Sequence, residues 1–268
     1  MRYSVKNHPI LRGVDLAVPE GSIYGFLGPN GSGKTTTLRI LLGFLARDEG
    51  ELLIHGTPVA RDTPRSDISY LPDVPVFDPW LTPRQYLRIS AALSGIPSSA
   101  REAHVDGALH RAHLAHVDTP LGGLSRGMRQ RFGIAQALLH EPRVLILDEP
   151  TSALDPLSRD DMLELIDSLR GHTTVFFSTH SMSDVESVCD HAAFLYQGKI
   201  RAAGTIAELT QTYGGSSHLQ ASFDPAGLHP DEVQGILREA GCQDISLRPE
   251  RSLHNAFTTV IRRADSHS

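Results

Sequence analysis

A glycine-rich stretch near the N-terminus constrains the fold of this chain more than any other feature. Its residues are Gly28, Pro29, Asn30, Gly31, Ser32, Gly33, Lys34 and Thr35. Glycine, four residues and Gly-Lys-Thr form a phosphate-binding P-loop when a strand precedes them and a helix follows. Residues 22–27 predict a short apolar strand and residues 35–42 predict the start of a helix. The alternative is a glycine-rich turn without a ligand, which these two flanks disfavour.

The residue types of this loop suit the phosphates of a nucleotide. Its three glycines allow a tight turn that presents backbone N–H groups to the β-phosphate, and the helix behind it adds partial positive charge. Lys34 is predicted to reach the β- and γ-phosphate oxygens, and the Thr35 hydroxyl to bind Mg²⁺. Thr36 is a candidate contact for the α-phosphate.

Composition and charge place the chain among ordinary globular proteins. Of its 268 residues, 40% are hydrophobic and 21% are charged, and the net charge of −6 argues against a general nucleic-acid binder. Cys189 and Cys242 are far apart and have no metal-ligand spacing, which fits a reducing compartment. The N-terminus lacks an apolar stretch like a signal peptide, and no window approaches the roughly 18 apolar residues of a membrane span. We therefore expect a cytoplasmic chain that needs another chain to cross a membrane.

The order of the predicted elements indicates an α/β fold with two additions. Residues 1–18 predict an antiparallel β edge, and residues 74–140 predict an inserted helical subdomain. We expect this main domain to cover residues 1–212. Beyond a glycine- and serine-rich linker, residues 213–268 predict a small accessory region with βαβα order, in which residues 230–240 form the first helix.

Four histidines lie in or near the second predicted helix of the inserted subdomain, namely His104, His110, His113 and His116. The last three follow each other at steps of three residues, which could place two imidazoles on one helical face for a metal ion. No cysteine or carboxylate completes a ligand set, so a solvated polar face is the favoured interpretation.

Acidic residues follow a fully apolar strand in the second half of the domain. Residues 144–147 predict a strand buried on both faces, and Asp148 and Glu149 come directly after it. A second apolar strand, residues 174–177, leads to His180 in the same way. Because ligands bind at the carboxyl ends of parallel strands, these side chains are candidates for one site. Asp148 is predicted to hold Mg²⁺, directly or through water, and Glu149 to polarise an attacking water.

Taken together and in this order, the motifs resemble those of the nucleotide-binding subunits of ABC transporters. The matching segments are the Walker A motif at residues 28–35, the signature at 124–128, the Walker B motif at 144–148, the D-loop at 152–155 and the switch histidine His180. The resemblance covers about residues 5–208. It implies a P-loop NTPase core with ATP and Mg²⁺ as cofactors, similar to stand-alone ATPase subunits that serve separate membrane subunits, commonly in bacterial exporters.

The resemblance also implies partners and a mechanism. Two subunits pack head to tail, as a homodimer or as a heterodimer with a related ATPase, and ATP lies between the P-loop of one and the signature of the other. Ser125 and the Gly127 N–H would donate to the γ-phosphate in trans, and Glu149 would act as the base with His180 as the switch. Closing and opening of the dimer would drive a transmembrane permease. The chain is then expected on the inner face of the cell membrane, with no nucleic acid as a partner.

Several positions depart from the pattern of the family. Asp73 stands where the family usually has the Q-loop glutamine, and its shorter carboxylate can still approach Mg²⁺. Arg126 and Met128 replace a glycine and the glutamine of the usual Leu-Ser-Gly-Gly-Gln signature. The aromatic residue that stacks on adenine has no counterpart at the usual position, near Val5. Tyr3 is the only nearby aromatic candidate, and packing of its ring in the core is an equal alternative.

Two other functions are compatible with parts of this pattern. A soluble ABC-type ATPase of DNA repair or translation would usually carry two ATPase modules or long coiled coils, whereas this chain has one module, no extended heptads and an acidic balance. A binding module that has lost hydrolysis is disfavoured because Glu149 and His180 are both present. Steady-state ATPase activity discriminates this alternative from the leading prediction, which is an ATPase that powers transport.

Overall fold

The structure is a computed structural model that describes residues 1–59, 67–214 and 229–241. The chain divides into two compact units, Met1–Tyr213 and Gly214–Ser268. In the second unit the described helix is Pro230–Glu239, where the sequence predicts one. The other predicted elements of this tail, and Cys242, lie outside the described residues.

A six-stranded sheet forms the centre of the first unit. The strands described are β1 (Arg2–Val5), β2 (His8–Arg12), β3 (Ile23–Leu27), β4 (Leu53–Ile54), β5 (Thr57–Pro58), β6 (Ile68–Leu71), β7 (Val144–Asp148), β8 (Thr174–Thr179), β9 (His191–Tyr196) and β10 (Lys199–Thr205). The sheet has the order β10-β9-β3-β8-β7-β6. Its strands pair in parallel except for β10, which runs antiparallel to β9. This mixed sheet confirms the predicted fold class.

Three central strands bring the candidate residues to one edge of the sheet. All residues of β3 and β8 are buried, as are all but the first of β7, because these apolar runs are covered on both faces. The register pairs Leu27 with Thr179 and Asp148 with Ser178. The P-loop, the two acids and His180 therefore all continue from the same carboxyl edge.

The N-terminal region differs from its prediction. β1 and β2 pair antiparallel, as predicted, but they form a separate two-stranded sheet, and residues 14–18 form no strand. Lys6 and Asn7 have φ values of 47° and 65°, which are the left-handed values that a two-residue hairpin turn requires. Gly13, with a φ of 100°, follows β2 directly and redirects the chain. The antiparallel edge of the central sheet is instead the hairpin of β9 and β10.

Helices cover the sheet and form the predicted insertion. They are α1 (Lys34–Leu41), α2 (Pro83–Leu93), α3 (Arg101–Arg111), α4 (Arg126–Leu138), α5 (Pro156–Asp167), α6 (Met182–Val188) and α7 (Ile206–Tyr213), with α8 (Pro230–Glu239) in the second unit. α2, α3 and α4 pack around an apolar cluster of their own that includes Leu87, Leu109 and Phe132. None of the helices in the described residues is long and apolar enough to span a membrane.

The four histidines near α3 do not form a metal site. α3 ends at Arg111, so His113 and His116 lie beyond it and share no helical face with His110. His104 forms a hydrogen bond of 2.9 Å between Nδ1 and the Leu139 carbonyl oxygen, and the other three histidines are exposed. Among the described residues no group of three or more histidine, cysteine or acidic side chains is placed to hold a metal ion.

Candidate active site

The P-loop joins β3 to α1 through backbone positions that suit glycine. Gly31 and Gly33 have φ values of 78° and 112°, in the left-handed region that residues with a Cβ rarely adopt. A Cβ on Gly28 would overlap the carbonyl oxygen of Leu195. Gly33 is the N-cap of α1 and supplies no side-chain cap. A helix start of this kind leaves backbone N–H donors for an anionic ligand.

Two polar groups of the loop are buried where phosphate oxygens would be their natural partners. Lys34, only 6% exposed, donates through Nζ to the Gly28 carbonyl oxygen at 2.6 Å and lies 3.3 Å from Glu149 Oε1. The hydroxyl of Ser32 is buried and has no hydrogen-bond partner in the described part of the chain. An ammonium group and an unpaired hydroxyl beside free backbone donors fit a bound polyphosphate.

Asp148 ends β7 in a setting that suits a divalent cation. Its Oδ1 accepts a hydrogen bond from the Ser178 hydroxyl at 2.6 Å. Burial raises the pKa of Asp148, and the nearby charges of Glu149 and Asp73 act in the same direction, against hydrogen bonds from Ser178 and Thr35. Carboxylate and hydroxyl oxygens are the ligands that Mg²⁺ prefers. The donor set around Thr35 and Asp148 therefore fits the metal that the sequence predicts.

Glu149 and His180 face each other across two neighbouring strands. His180 Nδ1 lies 2.9 Å from Glu149 Oε2, while Glu149 Oε1 is the atom near Lys34. Glu149 has a φ of 49°, and its N–H donates to the Ser178 carbonyl oxygen at 3.0 Å. His180 is 60% exposed and Glu149 is 16% exposed. The structure thus joins Lys34, Glu149 and His180 in one chain of polar contacts.

The signature lies at the start of α4. Ser125 is the N-cap of this helix, and its Oγ accepts a hydrogen bond from the Met128 N–H at 3.2 Å. Gly127 is buried, and a Cβ there would lie 2.5 Å from Ser158 Oγ. This glycine is therefore required by the packing of α4 on α5 within the chain, in addition to any part it has in binding ATP.

The two charged departures from the family pattern contact each other. Arg126 Nη2 lies 3.7 Å from Asp73 Oδ1, and the Gln130 side chain donates to the Asp73 carbonyl oxygen at 2.8 Å. α4 thereby holds the loop after β6 by two of its side chains. Asp73 also contributes its charge to the environment of Asp148, so it remains electrostatically part of the predicted metal site.

Tyr3 takes part in apolar packing. It lies on β1 opposite Leu11, and its side chain is half-buried against an apolar cluster that includes Leu11 and Phe26. This contact favours the packing alternative over adenine stacking. Val5, by contrast, is 46% exposed.

Sequence reasoning missed four residues around these catalytic candidates. They are Ser178, which donates to Asp148, and Thr151, Arg159 and Asp184, which form a network of hydrogen bonds behind Glu149 and His180. Ser178 and Thr151 lie within three residues of a motif, which is the signal that could have singled them out. Nothing in the spacing of Arg159 and Asp184, 25 residues apart, indicates that they meet.

Comparison with known proteins places the chain in a family. Residues 11–152 match the family described as ABC transporter. The chain is 40% identical over 209 residues to the uncharacterised ABC transporter ATP-binding protein YxlF of Bacillus subtilis, covering 78% of this chain and 70% of that protein. It is 41% identical over 192 residues to the bacitracin transport ATP-binding protein BcrA of Bacillus licheniformis, covering 70% and 62%.

The chain spans 61% and 57% of the length of two other relatives, from Nostoc and Synechocystis. It therefore spans less than two thirds of several relatives.

Solved structures agree with the sequence match. The ATP-binding subunit of an ABC transporter aligns with 27% identity and a TM-score of 0.70 over 88% of this chain and 96% of that one. A dimeric ATP-binding cassette with ADP and phosphate aligns with 25% identity and a TM-score of 0.66 over 76% and 95%. The chain therefore belongs to the ABC transporter family, as one of its ATP-binding, ATP-hydrolysing subunits.

Proposed function

We propose that this subunit hydrolyses MgATP in a head-to-tail dimer and thereby drives export through a separate membrane subunit. The observation that carries this proposal is the contact of Glu149 with both Lys34 and His180, at 3.3 and 2.9 Å. This contact brings together a phosphate-binding ammonium group, a carboxylate that can act as a base and a histidine at the carboxyl edge of the sheet. Residues 1–212 carry this ATPase, and residues 213–268 are an accessory region.

The contacts of Lys34 suggest how the site changes when ATP binds. Lys34 Nζ is held by the Gly28 carbonyl oxygen and the Glu149 carboxylate. The β- and γ-phosphates would take over this ammonium group, since phosphate oxygens are stronger partners than a carbonyl. Glu149 is then released to accept a proton from the attacking water, and His180 stays within hydrogen-bond distance of its other oxygen. Gly28 to Gly33 and Thr36 supply the remaining phosphate contacts.

Thr35 and Asp148 would hold Mg²⁺, which neutralises charge on the β- and γ-phosphates. Asp73 is a third candidate ligand, directly or through water. The Asp73 carboxylate lies within reach of Arg126 in the structure, so Mg²⁺ and the Arg126 guanidinium would compete for this carboxylate. The buried setting of Asp148 supports this assignment, because a cation relieves the cost of its buried charge.

The dimer supplies the second half of the site. Ser125 and the Gly127 N–H, at the start of α4, are proposed to donate to the γ-phosphate of the partner copy. A related cassette forms a dimer with ADP and phosphate bound, which supports the arrangement. Either a second copy of this chain or a related ATPase fits the proposal.

An exposed apolar surface supports a protein partner. Val74, Val76 and Trp80 are 65%, 86% and 84% exposed, and a groove of about 210 Å³ runs beside them between Phe77 and Leu121. Clustered apolar side chains of this kind mark interaction surfaces. We propose that the membrane subunit docks here, which places the chain on the inner face of the membrane. The likeness to BcrA, a bacitracin transport protein, supports export.

The test compares three variants of the full chain. Glu149→Gln is expected to bind MgATP while its hydrolysis rate falls at least about 100-fold, because the base is lost, and to accumulate a dimer. Lys34→Ala is expected to lose nucleotide binding, since a buried phosphate-binding charge is removed. Adding Ser125→Ala to Glu149→Gln should reduce the dimer seen by light scattering.

Glu186→Gln serves as the matched control, because Glu186 is an exposed residue of α6. This variant should hydrolyse ATP at the parental rate. Hydrolysis by Glu149→Gln at the parental rate would refute the assignment of the base. Affinity capture from detergent-solubilised membranes of the source organism tests the partner. Recovery of a stoichiometric polytopic membrane protein supports transport, and recovery of soluble partners alone contradicts it.

A further inference from the structure

A buried carboxylate links the two loops that carry Glu149 and His180. Asp184 is only 1% exposed. Its Oδ2 accepts a hydrogen bond from the Thr151 hydroxyl at 2.6 Å, and its Oδ1 accepts one from Arg159 Nε at 2.6 Å. Arg159 also forms an ion pair with this carboxylate. Both oxygens are therefore engaged in short hydrogen bonds, which rigidify a buried polar group.

The same network reaches the loop after β8. Arg159 Nη2 donates to Ser181 Oγ at 2.6 Å and to Ser183 Oγ at 2.7 Å. Ser181 Oγ also accepts a hydrogen bond from the Asp184 N–H at 3.3 Å as the N-cap of α6. Ser181 follows His180 directly in the chain. α5, which carries Arg159, is thus tied to the backbone that positions the histidine.

The turn after Glu149 is strained and needs an anchor. Glu149 and Ala153 have φ values of 49° and 52°, in the left-handed region, where the Cβ of a residue other than glycine crowds the following carbonyl oxygen. Such residues persist only when their surroundings hold them. Thr151 lies midway between them, is 7% exposed, and makes the side-chain hydrogen bond to Asp184 from the middle of the turn.

We propose that Thr151, Arg159 and Asp184 are positioning residues that hold the Glu149 carboxylate and the His180 imidazole 2.9 Å apart. Asp184 fixes one loop through Thr151, and Arg159 fixes the other through Ser181. Without this anchor the turn relaxes toward right-handed φ values and moves the carboxylate, and a shift of about 1 Å in a reacting group costs up to about 100-fold in rate. The inference rests on the proposed role of Glu149 as the base.

Thr151→Val of the full chain tests the network, because valine keeps the shape of threonine and removes only the hydroxyl. We expect kcat for ATP hydrolysis to fall about tenfold, with KM for ATP changed less than twofold, since the P-loop is not altered. Thr151→Ser keeps the hydroxyl and should recover most of the rate. Amide exchange in residues 149–154 should be faster in Thr151→Val than in the parent.

Thr173→Val is the matched control. Thr173 is also 7% exposed and its hydroxyl donates to the Pro142 carbonyl oxygen at 3.3 Å, at the opposite end of β8 from His180. Its variant should lose similar thermal stability and keep the parental kcat. Parental kcat in Thr151→Val, an equal loss in Thr173→Val, or no recovery in Thr151→Ser would overturn the proposal. Glu149→Gln distinguishes failure of the proposed function from failure of this inference. If Glu149→Gln hydrolyses ATP normally, the assignment of Glu149 as the base fails. If Glu149→Gln is inactive and Thr151→Val keeps the parental kcat, only the positioning role fails.

Discussion

At the scale of single residues, Asp148 and Asp184 show two ways in which a chain buries a carboxylate. Asp184 has a cationic partner in Arg159. Asp148 is 6% exposed, takes part in none of the ion pairs among the described residues, and has hydroxyl partners alone. Burying a carboxylate without a cationic partner lowers the stability of the folded chain, and such a loss is tolerated where a bound cation later balances the charge.

This difference predicts opposite effects for the same substitution. Asp148→Asn removes a buried charge while its amide oxygen can still accept from Ser178, so the melting temperature of the nucleotide-free chain should rise by about 2–4 °C, the shift that roughly 1 kcal/mol produces in a domain of this size. The variant should lose stabilisation by MgATP. Thermal melting with and without MgATP measures both effects.

Asp184→Asn provides the comparison for that experiment. It leaves the guanidinium of Arg159, whose side chain is 35% exposed, without its carboxylate, and a buried group that loses its partner costs about 1–3 kcal/mol, so the melting temperature should fall. Equal decreases in the two variants would contradict the view that Asp148 is held at a cost to stability.

At the scale of elements, the packing of α4 on α5 explains one glycine of the signature. Alanine normally stabilises a helix by about 1 kcal/mol relative to glycine. At Gly127, however, a Cβ would lie 2.5 Å from Ser158 Oγ and 2.6 Å from Ser158 Cβ. Overpacking of this kind costs about 1–3 kcal/mol, so Gly127→Ala should be destabilising, and Ser158→Gly should relieve the loss in the double variant. Urea unfolding measures these free energies.

Gly107, in the interior of α3, is the control position. The nearest atom to a Cβ there is the flexible end of Arg111 at 3.7 Å, so Gly107→Ala should stabilise the chain by about 0.5–1 kcal/mol. If both alanine variants shifted stability in the same direction, contact with Ser158 would not explain Gly127.

The same elements show what the sequence could predict. β3, β7 and β8 are continuous apolar runs followed by motif residues, so both the strands and the shared edge were predictable. α2 was marked by Thr82 and Pro83, and its capping box is present. α3 begins after Ala100 without a side-chain cap, so Ser98 and Ser99, the candidate caps in the sequence, do not mark its start. The N-terminal hairpin depends on left-handed Lys6 and Asn7, of which lysine is not a typical turn residue.

Long-range contacts set the limit of that prediction within the site. The P-loop, Asp148, Glu149 and His180 belong to local patterns, each readable from a few neighbouring residues. The contact of Asp73 with Arg126 joins residues from two separate segments, and each alone is only a departure from a motif. Arg159 and Asp184 likewise meet only because α5 and α6 pack together, which no periodicity encodes.

At the scale of the whole molecule, one group of exposed apolar side chains in the helical insertion lies close along the chain to a candidate metal ligand. Val74, Val76 and Trp80 lie in the segment that leads from Asp73 toward α2, next to the groove between Phe77 and Leu121. This segment therefore connects the proposed docking surface with a predicted metal ligand along only a few residues. We expect a partner that moves this segment to displace Asp73 as well, and so to couple docking to the site.

Val76→Glu should therefore abolish capture of the membrane subunit while leaving the isolated chain folded, because Val76 is 86% exposed and a charge at the centre of an apolar interface costs about 2 kcal/mol or more. Leu93→Glu is the matched control, since Leu93 is 84% exposed but lies at the far end of α2. The Leu93→Glu variant should capture the membrane subunit to the same extent as the parent chain does. Affinity capture from solubilised membranes measures both variants, with melting temperature as the check on folding. If Val76→Glu and the parent captured the membrane subunit equally, the groove would not be part of the interface. The proposed coupling through the segment after Asp73 would then fail as well.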